Sequence, residues 1–121
     1  MLEDEDNISL EEVISICNKI KKDRLEIRED NIGNLKTKEF LWKYGFNESR
    51  VYDEIRNLKI EDYHAGPVED KNPHNKHSLW IFLKYIEGIP VQIYIKIKII
   101  NHKTKIIVYS FHEEGLYDEK K

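Results

Sequence analysis

His112 offers an imidazole that can act as acid or base near neutral pH, and Tyr94 shares a strand face with two lysines. Tyr94 stands in a run that alternates cleanly from Val91 to Ile100. Ile93, Ile95, Ile97 and Ile99 point one way, and Gln92, Tyr94, Lys96 and Lys98 point the other. Period-two alternation describes a half-buried strand with a dry and a wet face. A phenol and two ammonium groups on a rigid wet face make a floor suited to phosphates. His112 ends the next run, beside Ser110 and just before Glu113-Glu114. An imidazole titrates near neutrality and acts as acid or base there, and a nearby carboxylate could hold its tautomer. On simple alternation His112 shares a face with Ile106, Val108 and Ser110. Either those residues line the site, or the strand twists or bulges before Phe111.

Lys84 lies on the preceding run, alternating with Trp80 and Phe82. With Trp80 and Lys84 on the wet side, a stacking ring would join the ammonium groups, as in proteins that hold single-stranded nucleic acid. The run is apolar on both faces, so periodicity leaves Trp80 open, with Phe82 expected in the core. His74-x-x-His77 has two potential zinc ligands but no third at a fitting spacing. His64 and His102 carry no specific signal. Cys17 falls on the apolar face of an expected helix and reads as a small core hydrophobe. Glycine-rich phosphate loops, dinucleotide fingerprints, cysteine clusters and a Gly-x-Ser-x-Gly elbow are all absent from the sequence, and Ser110 sits inside a strand run.

The elements that must position these groups are legible along the chain. One domain is expected over residues 1–121, with an acidic tail at 1–8, a helical part at 9–58, a loop at 59–77, an antiparallel sheet at 78–112 and a charged tail at 113–121. Ser9-x-x-Glu12 spells a capping box, followed by Leu10, Val13, Ile14, Cys17 and Ile20 at helical spacing. Leu25-Glu26-Ile27 reads as a short extended piece. A second helix is expected from near Thr37 to a stop at Gly45, and a third after Asn47, with Val51, Ile55 and Leu58 one turn apart. Three strands follow at roughly 78–85, 90–100 and 105–111, broken by turns at Ile86–Ile89 and Asn101–Thr104. The fold class expected is α+β.

Charge is unevenly distributed. The net charge of −3 comprises −7 over residues 1–70, +6 over 71–112 and −2 over 113–121. The basic excess falls on the strand region, where a phosphate backbone would bind, although the same lysines also suit the solvated face of a sheet. No apolar run is long enough for a bilayer, the acidic start is unlike a secretory signal, and a single cysteine suits a reducing compartment, so a cytoplasmic location is expected.

The succession of Leu58–Tyr63, Gly66-Pro67-x-x-Asp70, Leu79-Trp80-Ile81-Phe82, Lys84, Gly88, Ile93-Tyr94-Ile95-Lys96 and Ser110-Phe111-His112-Glu113 resembles the MqsR family of bacterial toxins, over about Leu35 to Glu113. The resemblance implies a RelE-like fold, with three helices packed on an antiparallel sheet of three to four strands. It also implies a type II toxin–antitoxin system whose toxin is a metal-independent endoribonuclease cleaving messenger RNA through the ribose 2′-OH, without a cofactor. The family's Tyr-x-Lys tyrosine falls on Tyr94, and the basic residue closing its Ser-Phe-basic motif falls on His112. Lys84 resembles the lysine of a Trp-x-Phe-x-Lys pattern. Two positions depart. Ala65 stands where a family lysine is expected, with His64 one position earlier as a substitute, and Ile81 replaces a polar residue. The implied partners are a cognate antitoxin and single-stranded messenger RNA, with DNA touched only through the antitoxin.

The roles expected on this resemblance are His112 as general acid or base, Tyr94 as phosphate orienter or proton-transfer aid, and Lys84 with Lys96 as counter-charges. Lys98, Trp80, His77 and His64 would help hold RNA. Two other readings stand beside it. One is a non-catalytic module whose basic sheet face binds RNA or an acidic protein, and the other is a metal-dependent nuclease built on His74 and His77.

Overall fold

Ser9 and Asn47 set where two of the three helices begin. In the computed structural model, which describes residues 8–28, 36–69 and 77–114, the Ser9 hydroxyl accepts the Glu12 amide at 3.1 Å and opens α1 (Leu10–Lys19). The Asn47 side-chain oxygen accepts the Arg50 amide at 2.9 Å and opens α3 (Glu48–Arg56). Each satisfies an amide that a helix start leaves without an intrahelical partner. Glu12, the other half of the expected capping box, directs its carboxylate to Lys103 at 2.9 Å. Between these helices, α2 (Lys36–Tyr44) stops at Gly45, whose φ of +69° lies in the left-handed region that glycine enters without steric cost.

The fold is α+β, with a mixed sheet of five strands: β1 (Leu25–Ile27), β2 (Tyr63–Val68), β3 (Leu79–Tyr85), β4 (Gln92–Ile100) and β5 (Lys105–Glu113), in the order β1-β5-β4-β3-β2. This corrects the expectation of three to four antiparallel strands. The short piece at Leu25–Ile27 pairs parallel with β5, Leu25 opposite Ile106 and Ile27 opposite Val108. Part of the expected 59–77 loop is β2, paired antiparallel with β3. Its register breaks twice, and it contains Gly66-Pro67, so it shows no alternation to read. An edge strand tolerates a proline, because its outward side needs no amide. A Cβ on Gly66 would come within 2.9 Å of the Leu79 carbonyl oxygen and 3.0 Å of the Trp80 ring, so this close pairing requires glycine. His74, in the remainder of that loop, lies outside the described residues. Two tail boundaries also move: Ile8 is buried in the core, and Glu113 ends β5.

All three helices pack on one face of the sheet. Val13, Cys17, Phe40, Phe46, Val51 and Ile55 meet the isoleucines of β4 together with Trp80, Phe82, Ile106, Val108 and Phe111. Cys17 is fully buried, and desolvation pushes its thiol up to about 12, which makes it inert. Both expected turns are present. Gly88, at φ +89°, closes the first, where the Ile89 amide donates to the Ile86 carbonyl at 2.9 Å. The second has Asn101, His102 and Lys103 all at positive φ. That conformation costs energy for residues with a Cβ, and Arg24 fixes it by donating to the Thr104 carbonyl and hydroxyl at 3.1 and 3.0 Å. Among the described residues no helix is long and apolar enough to cross a membrane.

Candidate active site

The pairing of β4 with β5 decides which face each functional side chain occupies. Ile99 lies opposite Ile106 and Ile97 opposite Val108, but the next β4 residue, Lys96, lies opposite Ser110, and Tyr94 opposite His112. Tyr109 is the extra residue of a β-bulge. Before it, Ile106 and Val108 share the helix-covered face with Ile97 and Ile99. After it, Phe111 takes that face beside Ile95, and Ser110 and His112 join Lys96 and Tyr94 on the opposite face. One inserted residue shifts side-chain parity, which places Val108 and His112 on different faces.

The bulge falls where β5 changes neighbours. Up to Val108 it runs beside β1, and the Arg28 amide donates to the Val108 carbonyl at 3.0 Å. From Phe111 it runs beside α2, where the Phe111 amide donates to the buried Thr37 hydroxyl at 3.0 Å. The Phe111 ring packs 5.8 Å from Phe40 and 5.9 Å from Phe46, centroid to centroid. Tyr109 turns to other partners: its hydroxyl accepts from Arg28 at 3.4 Å, and the Lys98 ammonium lies 5.5 Å from its ring centroid.

Tyr94 and His112 stack, with centroids 5.3 Å apart and planes at 27°. Nδ1 of His112 lies 3.0 Å from the Glu113 carbonyl oxygen. A carbonyl only accepts, so Nδ1 carries the proton, and in the neutral ring Nε2 is the nitrogen that takes one up. The backbone therefore sets the tautomer, not the nearby carboxylate that the sequence suggested. The Glu113 carboxylate is on the helix side, where it accepts from the Tyr44 hydroxyl at 2.8 Å and Lys43 at 3.3 Å. Its hydrogen bond holds the Tyr44 phenol above the usual tyrosine range. Across the face away from the described helices Leu83, Tyr94 and His112 form one row and Ile81, Lys96 and Ser110 the next.

Several expected site residues are placed elsewhere. Lys84 and Trp80 are opposite Ile93 and Ile97, on the helix-covered face. Lys84 pairs with Glu54 of α3 at 2.9 Å, and Trp80 is only 3% exposed. The sheet lies between them and the Tyr94–His112 pair, so Lys84 cannot reach a phosphate held there and Trp80 cannot stack on a base. Their strand is apolar on both sides, and only pairing reveals its orientation. Lys98 is on the expected face but is buried against Tyr109, which removes it as a surface contact for RNA. His64 is exposed on edge strand β2, with β3 between it and β4. His77 lies two residues before β3, at the end of the sheet away from Tyr94.

Tyr85 was not singled out from sequence, and Gln92 was placed on the wet face without a role. They pair at the end of β3 and the start of β4, on the same face as Tyr94 and one row beyond it. The Ile81-Leu83-Tyr85 alternation was the signal available. A cavity of about 530 Å³ lies at the far end of β4, between α1 and the Asn101–Thr104 turn, with Lys19, Arg24 and Lys103 in its lining. It contains no acid–base pair resembling Tyr94 and His112. On the sheet face of Tyr94 and His112, Tyr94 and Lys96 are half-buried, Ser110 and His112 are buried, and Tyr85 is exposed. Compared with models of known protein families, with curated proteins and with solved structures, the chain matches none.

Proposed function

We propose that this chain is a metal-independent endoribonuclease with a RelE-like architecture, acting on single-stranded messenger RNA as the toxin of a toxin–antitoxin pair. The observation that carries this reading is the β-bulge at Tyr109, which puts a largely buried histidine of defined tautomer against a half-buried tyrosine on the sheet face away from the described helices, with Lys96 one row away. The sequence resemblance supplies the toxin context and the antitoxin partner.

The chemistry is a transesterification. The ribose 2′-oxygen forms a bond to the adjacent phosphorus, and the bond from phosphorus to the 5′-oxygen of the next nucleotide breaks. The proton leaving the 2′-hydroxyl passes to a base, and a proton is delivered to the departing 5′-oxygen. His112 Nε2 is the proton-exchanging atom. Tyr94 orients the phosphate beside it, and Lys96 offsets the negative charge that builds on the non-bridging oxygens.

The test is cleavage of a labelled single-stranded RNA in EDTA by protein free of any antitoxin. The wild type is expected to cut, leaving 2′,3′-cyclic phosphate ends. His112→Ala is expected to lose about a hundred- to ten-thousand-fold in rate, the usual worth of a general acid or base, and Tyr94→Phe to lose less. Binding without cleavage would favour the non-catalytic module. Equal cleavage by the double variant would refute the site.

A further inference from the structure

The sheet face of Tyr94 and His112 has an aromatic ring, Tyr85, that the proposed proton transfer does not use. Tyr85 is 71% exposed at the end of β3, and has no hydrogen bond, ion pair or ring contact with any described residue. Exposed aromatic rings are common singly. The neighbourhood of Tyr85 distinguishes it. It shares a face with Leu83, which pairs with Tyr94, and its own cross-strand partner is Gln92. Two residues along a strand span about 7 Å, so Tyr85 lies one step from Tyr94 diagonally across the pair. The β2 strand reaches only to the level of Phe82, where Tyr63 pairs, so β3 extends past its outer neighbour as it reaches Tyr85. The ring and the Gln92 amide thus stand together where the sheet edge is uncovered by β2.

We infer that Tyr85 and Gln92 form a base-recognition subsite for the nucleotide next to the phosphate held at Tyr94 and His112. The Tyr85 ring takes the flat face of the base, as exposed aromatics on nucleic-acid-binding sheets do. The Gln92 amide has a donor and an acceptor for the base edge. Stacking alone accepts any base, and the amide adds preference. The ligand class is an unpaired nucleobase of single-stranded RNA, since a base in a duplex presents neither face. This inference rests on the reading of the Tyr94–His112 face as the RNA site.

The experiment uses the full chain and a single-stranded RNA with 2-aminopurine at each position in turn around the cleavage point. Fluorescence reports stacking, and cleavage is followed on the same strands. At one position flanking the scissile phosphate, the wild type is expected to quench the probe. Tyr85→Phe should quench it equally, and Tyr85→Ala should not. Tyr85→Ala should raise KM by about five- to hundred-fold with kcat little changed, in line with the cost of losing one aromatic–base stack. Gln92→Ala should leave the quenching in place and level the rates among substrates differing only at that base. If the wild type cuts RNA and Tyr85→Ala matches it in KM and in quenching, the subsite is wrong while the cleavage reading stands. If the wild type neither cuts nor quenches, the RNA reading fails and the subsite fails with it. Quenching that depends on Tyr85 without cleavage would keep the subsite and overturn only the catalytic role.

Discussion

Lys84 and Lys96 sit on adjacent strands of one sheet and face opposite worlds. Lys84, opposite Ile93, points to the helices and is held by Glu54 at 2.9 Å, with both side chains largely covered. Lys96, opposite Ser110, points to the face shared with Tyr94 and His112. The two residues are identical, and strand register alone decides which face each one takes. A lysine engaged by a carboxylate in a helix–sheet interface has its charge committed. Lys96 is half-buried on the face that no described helix covers. Composition cannot make that distinction, because it counts both as part of one basic island.

Lys84→Ala and His112→Ala break this comparison from its two sides. Removing Lys84 leaves the Glu54 carboxylate without its ion-pair partner in a mostly dry interface. We expect a loss of about 2 kcal/mol of stability, below the full cost of breaking a deeply buried pair because both groups keep some solvent. A denaturant titration measures it. Cleavage by the folded variant should stay within about twofold of wild type, against the large loss expected for His112→Ala. A Lys84→Ala protein that folds fully and has lost cleavage would return this lysine to the active site.

A smaller effect is expected from deleting Tyr109, which sharpens the role of the bulge. Without the extra residue, Val108 and Ser110 become consecutive, and plain alternation keeps Val108 and Phe111 inward and Ser110 and His112 outward. The fold and the Tyr94–His112 contact should survive, with about 1 kcal/mol lost along with the Arg28 and Lys98 contacts to the Tyr109 ring. Nuclear Overhauser contacts between the Tyr94 and His112 rings report the outcome, and their disappearance from a folded protein would show that the bulge does more than set parity.

Much of the scaffold was legible in the sequence because local rules governed it. Ser9 and Asn47 announced helix starts, Gly45 a stop, and Gly88 a turn, each by a mechanism confined to a few residues. The alternation in β4 sorted Tyr94 and Lys96 from the isoleucines correctly, since one face of that strand is covered by helices throughout. Where long-range pairing governed, the sequence was silent. β5 contains no glycine to mark its bulge, so the sequence left plain alternation and a bulge before Phe111 both open, and pairing with β4 selects the bulge. β3 is apolar on both faces, so the side taken by Lys84 and Trp80 depends on its register with β4. β2 has no alternation, because its register breaks on either side of Ala65. Tyr85 went unnoticed at the end of a strand, where pattern counts least.

The central claim is that nucleic acid binds the face of Tyr94, Lys96 and His112, and not the helix face or the cavity beside Arg24. Its most direct test is a nuclear magnetic resonance titration of the labelled protein with a 2′-O-methylated single-stranded RNA, which cannot be cut through its 2′-oxygen. The account predicts side-chain shifts at Tyr85, Tyr94, Lys96 and His112, with Lys84 and Arg24 unmoved. Shifts centred on Lys19, Arg24 and Lys103, with Tyr94 and His112 silent, would contradict it.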